Sequence, residues 1–585
     1  MRDYPVVISG AGPSGLLASI ILAKSGIRHL LVEQRSELHR APAAHVLKTR
    51  TLEIYRMFGF DTAVTDIATP PELQRYVTYF DQLAGLNYGK LSLYDFRKDA
   101  AFKDKSPTRT ANLPQDLLEE ILYAKATESD LAEIEFDTSC SDHQDAGDAV
   151  HIEIERPGGE KETIRAQYFI AAEGAGSPTR RRMGIEMEGP AGIAHYVTVY
   201  FESDLSKLLK GGEGIVHWCL NLDTPASLIV HDHKKRAVLM IPYDPETQSP
   251  EDFPKSTCAA YLKNVLGDAN HPFEIVTIDK WTMTAQVAER YSQGRVYLVG
   301  DAAHRFPPTG GLGLNTGAQD VYNLLWKVRE VLSGNADPGL LKTYETECRP
   351  IAKANCEHSL INQKRNIEVP LAIGITDDKA ASRENVEALR RGGPESEQRL
   401  KKIAHAIDGQ LRHYVSFGLD LAFVYEHGAL LSDGTPVINR IDDPTIFEPT
   451  AQPGARLPHT WLNHKGERVS SHDLLSYNNF TLIIGSDGEI WTEALNAMAD
   501  VPFHVEVKEV GRGCTFDDPE GDWQSVSELT STGALLVRPD GHVALREKSA
   551  PADPKARLAQ AIDALLPNTI KRAAADAEKL AEQVG

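Results

Sequence analysis

The first half of the chain alternates short apolar runs with helical stripes, the pattern of strands buried on both faces of a parallel sheet and joined by helices. Pro5 to Ser9 is one such run. It is followed by Gly10, Ala11, Gly12, Pro13, Ser14 and Gly15, a helix reaching towards Ser25, and a second strand, His29 to Val32, ending at Glu33. Between Leu131 and Ala172 strands alternate, the last being the apolar run Tyr168 to Ala172. Val296 to Val299 repeats that run until Gly300 and Asp301 cut it off. A loop with Pro307, Pro308, Gly310, Gly311 and Gly313 then leads into a helix carrying Ala318, Val321, Leu325, Val328 and Leu332 on one face.

A second pattern interrupts the first. Pro70 to Phe102 is rich in aromatics and alternates like strands, and Gln115 opens a helix with Leu117, Leu118, Ile121 and Leu122. Tyr196–Phe201, Gly214–Leu220, Ser227–Val230 and Arg236–Ile241 read as antiparallel strands, suited to form a wall. Leu340 to His405 is mostly helical, with Arg349 and Pro350 marking a break. Composition then shifts to Asp, Pro, Thr and Gly around Asp433 to Gly454. Beyond that come strands at Phe480–Ile484, Val505–Val510, Ala534–Val537 and His542–Leu545, and helices near Trp491–Ala499 and Pro554–Leu566.

The fold expected is α/β. A discontinuous Rossmann-type dinucleotide-binding domain with closing helices takes 1–75, 103–184 and 284–405, and an inserted, mainly antiparallel β domain takes 76–102 and 185–283. A linker at 406–453, a third α/β domain at 454–570 and a helical tail at 571–585 complete it. With 585 residues the chain is too long for one core, which agrees with several domains.

Charge and cysteines narrow the partners. A formal charge of −21 argues against nucleic acid and anionic membrane surfaces, since both need a basic face. Apolar runs such as Leu16 to Ala23 are too short to span a membrane, and no export signal is visible, so a cytoplasmic location is expected. Six cysteines without a CxxC pair read as reduced thiols, and no metal site is expected. His231 and His233 share a strand face but lack a third ligand; solvated strand-end histidines are the expectation there.

Strand, GxGxxG, helix, strand and acid in that order predict dinucleotide binding. Gly10 permits the tight turn, Gly12 and Ser14 lie against the pyrophosphate, Gly15 lets helix and strand close up, and Glu33, with Gln34 and Arg35 beside it, grips the adenosine ribose. Arg50 suits a diphosphate because it is always charged and bonds bidentately, and Gln115 either reaches the cofactor or caps its helix. Asp301 can hold a hydroxyl group, and the loop at Gly311 and Gly313 leaves backbone N–H groups free for a ligand at a helix N-terminus.

Gly10 to Gly15 with Glu33, Glu173 to Arg180, and Gly300 to His304 together make the chain resemble the single-component FAD-dependent aromatic hydroxylases. That family includes para-hydroxybenzoate hydroxylase and phenol hydroxylase, and its middle motif reads DGxxSxxR. Glu173 departs from that aspartate by one methylene. The third domain resembles the thioredoxin-like appendage of the phenol hydroxylase branch at Gly454 to Leu462 and Gly533 to Arg546, although no CxxC is present for disulfide exchange. The resemblance implies FAD, NADH or NADPH and molecular oxygen, with Asp301 on the ribityl chain, Pro308 beside the reactive edge, and Leu314 and Asn315 offering backbone to the pyrimidine end. Ser177 and Arg180 match the segment implicated in FAD and nicotinamide binding, and Tyr344, Glu347 and Pro350 a further signature.

The implied reaction is hydroxylation of a phenol through a C4a-hydroperoxyflavin, which is easier once the phenol is deprotonated. His45, five residues before Arg50, matches the position of a substrate-facing group in phenol hydroxylase relatives, and an ordinary pKa of about 6.5 suits a base. Tyr243 is the reserve. A halogenase is disfavoured because no tryptophan lies in a WxWxIP segment. A Baeyer–Villiger or epoxidising relative acting on a polyketide, a flavin-bound sensor or scaffold, and a homodimer as the assembly remain compatible with the sequence.

Overall fold

A computed structural model describes residues 1–93, 104–438, 443–498, 501 and 503–566 of the protein. The tail expected at 571–585 and the end of the 76–102 segment lie outside the described residues.

Asp3–Ser9 is the centre of an eight-stranded sheet. It pairs in parallel with His29–Val32 on one side and Glu160–Ala171 on the other, and Val296–Leu298 and Ala132–Glu135 extend the parallel order outwards. These are the apolar runs, buried on both faces because Pro13–Lys24 and Gly313–Leu332 cover one side and the Val150–Arg156 and Ser139–Asp145 strands fold back over the other. The strands' C-terminal ends, where glycine turns follow, point to one edge, the place where open α/β sheets bind ligands.

The inserted strands form a seven-stranded sheet in the order Glu274–Met283, Ala194–Glu202, Arg236–Tyr243, Ala226–Asp232, Gly214–Cys219, Tyr76–Phe80, Asn87–Ser92. Pairing is antiparallel apart from Gly214–Cys219 against Tyr76–Phe80, which is parallel. One face packs on Lys255–Leu266 through Leu228, Leu239 and Ile241, and the other looks towards the first domain.

Thr343–Arg365 is one continuous helix, so the break expected at Pro350 is absent. Proline there removes one backbone bond, and burial of Tyr344, Glu347, Cys348 and Ala352 against the first domain holds the helix together. The stretch read as a linker is packed: it contains short helices at Leu411–Tyr414 and Phe417–Asp420.

A third sheet, also seven-stranded, is built on Phe480–Ile484 and flanked by Glu489–Asn496 and Pro554–Leu565. It docks through buried charge. Arg538 in its hairpin donates twice to Glu347 at 2.9 Å, and Glu347 also accepts from Lys327 at 2.8 Å and Asn323 at 2.6 Å. Among the described residues no helix is long and apolar enough to cross a membrane.

Candidate active site

One cavity of about 1050 Å³ runs from the N-terminal glycine turn, past the loop after Val296–Leu298, to the inserted sheet. Pockets that hold one drug-sized ligand measure roughly 300–1,000 Å³, so this one is at the upper end of the range.

The three glycines at its first end divide their work. A Cβ on Gly10, which has φ +106°, would stand 2.3 Å from the Ala172 carbonyl oxygen, and one on Gly15 would stand 1.9 Å from that of Gly10. Around Gly12 an added Cβ would meet nothing within 4 Å. The outer two are packing requirements, and the middle one leaves space for a ligand. Beside them Glu33 accepts from the Ala11 N–H at 2.7 Å and from Arg35 N and Nε at 2.9 and 3.0 Å. Burial alone would raise its pKa, but these hydrogen bonds hold the carboxyl below the ordinary value. Gln34, Arg35 and Gln115 line the same end, and Gln115 Nε2 donates to Glu119 at 2.8 Å.

At the middle of the cavity the two glycine turns meet. Cβ atoms on Gly300 and Gly317 would each collide with Ser14 Oγ, at 2.7 and 2.6 Å. Only glycine lets the N-terminal helix, the Gly300 turn and the Gly313–Leu332 helix touch. Asp320 then locks the turn, accepting from Gly300 N–H at 3.0 Å and His304 Nε2 at 2.8 Å. Asp301 is left with its carboxyl open to the cavity, and its deep setting raises its pKa. Pro308, Gly311, Gly313 and Leu314 line the next stretch. The first intrahelical bond after the loop runs from Thr316 N to Leu312 O, so the N–H groups of Gly313, Leu314 and Asn315 precede it and carry the positive end of the helix dipole. The Asn315 side chain is occupied elsewhere, donating to Val46 O and Gly311 O at 2.8 and 2.6 Å.

The longer acid of the middle motif acts as a clamp. Glu173 accepts from Ser9 Oγ at 3.0 Å, Ser177 Oγ at 2.6 Å and Thr179 N and Oγ1 at 3.0 and 2.7 Å. Arg180, buried, donates to Ala302 O at 3.0 Å and so ties this motif to the residue after Asp301.

The far end is aromatic. Along the wall strands every second residue faces the cavity: Val216 and Trp218, Ser227, Ile229 and His231, Val238 and Met240. Tyr196 and Trp281 stack at 4.8 Å, and Trp218 Nε1 donates to Tyr414 OH at 2.9 Å, with Tyr414 stacked on His413 at 4.5 Å. Against this wall stands His45, its Nδ1 3.1 Å from Asn112 Oδ1 and its ring 5.3 Å edge-on from that of His231. Burial pushes the His45 pKa down to about 4, against a smaller upward pull from Asn112, so the ring is neutral at pH 7.

Three expectations are corrected. Arg50 does not line the cavity; it is buried, pairs with Glu53 at 3.1 Å and donates to the Asp540 carbonyl at 2.8 Å in the third domain. Its helix starts at Thr49, and the Asp540 hairpin lies on the side to which Arg50 points. Tyr243 shares its strand parity with Leu239 and Ile241, which sends it to the opposite face, against Phe253 at 5.9 Å. His231 and His233 are buried, not solvated: His231 continues the Ser227–Ile229 alternation into the cavity, while His233, past a register shift, bonds Gly214 O at 3.0 Å. The sequence reading also missed Tyr196, Trp281, His413 and Tyr414. Alternation alone marks His231 and Tyr196, but the last two come from the presumed linker and carry no local signal.

An open glycine cradle, an acid at the end of the second strand, an internal carboxylate, helix N–H groups and an aromatic wall in one cavity define a flavin-binding oxidoreductase with a planar-substrate site. Comparison with known proteins narrows this. Residues 3–359 match the FAD binding domain family, and residues 450–568 match the aromatic-ring hydroxylase C-terminal family. The chain belongs to the FAD-dependent aromatic-ring hydroxylases. It is 33% identical to 2,4-dichlorophenol 6-monooxygenase of Cupriavidus pinatubonensis, covering 98% of both chains. The crystal structure of the flavin-dependent monooxygenase PieE with FAD and substrate matches with a TM-score of 0.90 at 31% identity, over 97% of this chain and 99% of that one. That of aklavinone-11 hydroxylase with FAD and aklavinone matches with a TM-score of 0.80 at 30% identity, over 97% and 99%. The protein is thus an FAD-dependent monooxygenase that uses NADH or NADPH and oxygen.

Proposed function

We propose that the protein hydroxylates a phenolic aromatic ring, and that His45 is the base that deprotonates it. The observation that carries this reading is a neutral imidazole beside an aromatic wall in the cavity that also holds the flavin-binding elements. Bound FAD supplies hydride acceptance from the nicotinamide and oxygen activation. Gly12 and Ser14 give the diphosphate room, Glu33 with Gln34 and Arg35 holds the adenosine ribose, and Gln115 lies beside them. Glu173 keeps the turn between them in shape. Asp301 takes the ribityl chain. The N–H groups at Gly313, Leu314 and Asn315 face the pyrimidine end and favour negative charge there, while Pro308 and Gly311 shape the pocket at the reacting edge. Trp218, Tyr196 and Trp281 hold the substrate ring flat and keep water out.

The similarity to a dichlorophenol monooxygenase supports a small phenol, and 2,4-dichlorophenol is the first compound to assay. The size of the cavity and the similarity to an aklavinone hydroxylase favour a second reading, oxygenation of a larger polyketide-like substrate, including Baeyer–Villiger or epoxidation chemistry. Mass and connectivity of the product separate the two. Unpaired thiols fit a reducing cytoplasm, and light scattering tests the expected homodimer. Replacing His45 by Ala tests the base: hydroxylation falls roughly a hundred-fold with FAD retained. An unchanged rate and pH profile would remove His45 from the mechanism.

A further inference from the structure

The hydrogen bonds behind His45 run in one direction, and that direction decides which of its nitrogens is bare. The Thr69 carbonyl can only accept, so the Gln74 amide turns its NH₂ towards it and its Oε1 away. That oxygen accepts from Asn112 Nδ2, which leaves Asn112 Oδ1 facing the imidazole. An amide oxygen cannot donate. His45 Nδ1, 3.1 Å away, therefore carries the hydrogen, and Nε2 keeps a lone pair. Flipping either amide would set donor against donor or acceptor against acceptor in a place water does not reach, because Gln74 and Asn112 are only 6% and 7% exposed.

The backbone fixes the same parts. Val46 faces Asn112 in a two-stranded ladder, and Leu113 N–H donates to His45 O at 2.8 Å. Thr69 N–H donates to Asn112 O at 2.9 Å, while Thr69 Oγ1 donates to His231 O at 3.0 Å. One threonine thus indexes the relay and the second histidine together. In edge contact with His45 stands His231 and, beyond it, Arg236, which pairs with Asp116.

We propose that Gln74 and Asn112 are positioning residues that lock His45 in the Nδ1–H tautomer, so that Nε2 receives the phenolic proton. The proposal rests on the reading of His45 as the base. In that step the phenol O–H bond breaks and an N–H bond forms at Nε2. The products are a phenolate and an imidazolium whose Nδ1–H still points at Asn112 Oδ1, where the carbonyl dipole stabilises the new charge.

The test is nitrogen-15 NMR of histidine-labelled, FAD-loaded enzyme at pH 7, with the His45 signal assigned by its loss in His45→Gln, read beside the pH–rate profile with 2,4-dichlorophenol. Native enzyme should show Nδ1 protonated and Nε2 bare. Asn112→Leu and Gln74→Leu should admit the Nε2–H tautomer and lower hydroxylation roughly ten- to a hundred-fold, no more than the lower limit of the 10²–10⁴ that a whole general base contributes, with flavin bound. Asn112→Asp keeps an acceptor on Nδ1, so it should retain the native tautomer and move the acid limb of the profile upward. A native Nε2–H tautomer, or an unaltered tautomer in both Leu variants, would overturn the relay. If His45→Ala is fully active, the base reading fails; if it is inactive while both Leu variants keep the native tautomer and profile, the relay alone fails.

Discussion

His45 illustrates how a residue's job depends on what surrounds it. In water half of its population would be a cation at about pH 6.5. Burial lowers that value to about 4, so the acceptor form prevails above it and is lost only as pH falls through it. Activity of the native enzyme should therefore hold its acid limb near pH 4; a limb at the ordinary histidine value would contradict the geometry. Asp301 makes a different prediction, because its carboxyl opens to the cavity: Asp301→Ala should purify with little flavin, measured by the visible absorbance of the protein. At this scale the sequence reveals what a motif's spacing encodes. Gly10, Glu33 and Asp301 line the cavity, and that placement was legible because each sits at a fixed distance from a strand end. Arg50 and Tyr243 were misread because a side chain's direction depends on its neighbour, the third domain for one and strand parity for the other.

Among the elements, strands and the glycine turns were the readable part, since apolar runs and glycines state their own reason. His29–Val32, Phe480–Ile484 and Ala534–Val537 fall where hydrophobicity placed them. Pro350 failed as a helix breaker because tertiary burial outweighs the one bond it removes. Local propensity cannot report that. The cavity's last wall, His413 and Tyr414, was also hidden, as it arrives from a segment whose composition reads as linker. The glycine turn supports a paired experiment. Gly12→Val places its side chain in open cavity, so the variant should fold with a near-native melting temperature but fail to retain FAD. Gly15→Val drives its Cβ into the Gly10 carbonyl and should fail to fold. Flavin retained by Gly12→Val would show that the cradle is not where the diphosphate lies.

Across the molecule, function and stability share the same buried polar groups. His29, His217, His358, His413, His472 and His542 are all held neutral by burial, at about 3 or 4. Unfolded, each would bind a proton near pH 6.5, so the stability they contribute is complete above that pH and is lost as pH falls towards 4. Asp301, Glu119 and Asp420, shifted upward, act in the opposite sense but are fewer. The melting temperature should drop steeply between pH 6.5 and 4, and a flat profile there would refute the neutral histidines. The third domain joins the same whole: Glu347, in the helix that covers the first domain, holds Arg538 of the appended sheet and so docks it there. The central claim, that this cavity couples flavin chemistry to hydroxylation of a phenol deprotonated by His45, is tested most directly by one stoichiometry. NADH or NADPH consumed in the presence of 2,4-dichlorophenol is compared with hydroxylated product and hydrogen peroxide formed, for native enzyme and His45→Ala. The account predicts stimulated consumption matched by product in the native enzyme and diverted to peroxide in the variant; equal coupling in both, or no stimulation by any phenol, would contradict it.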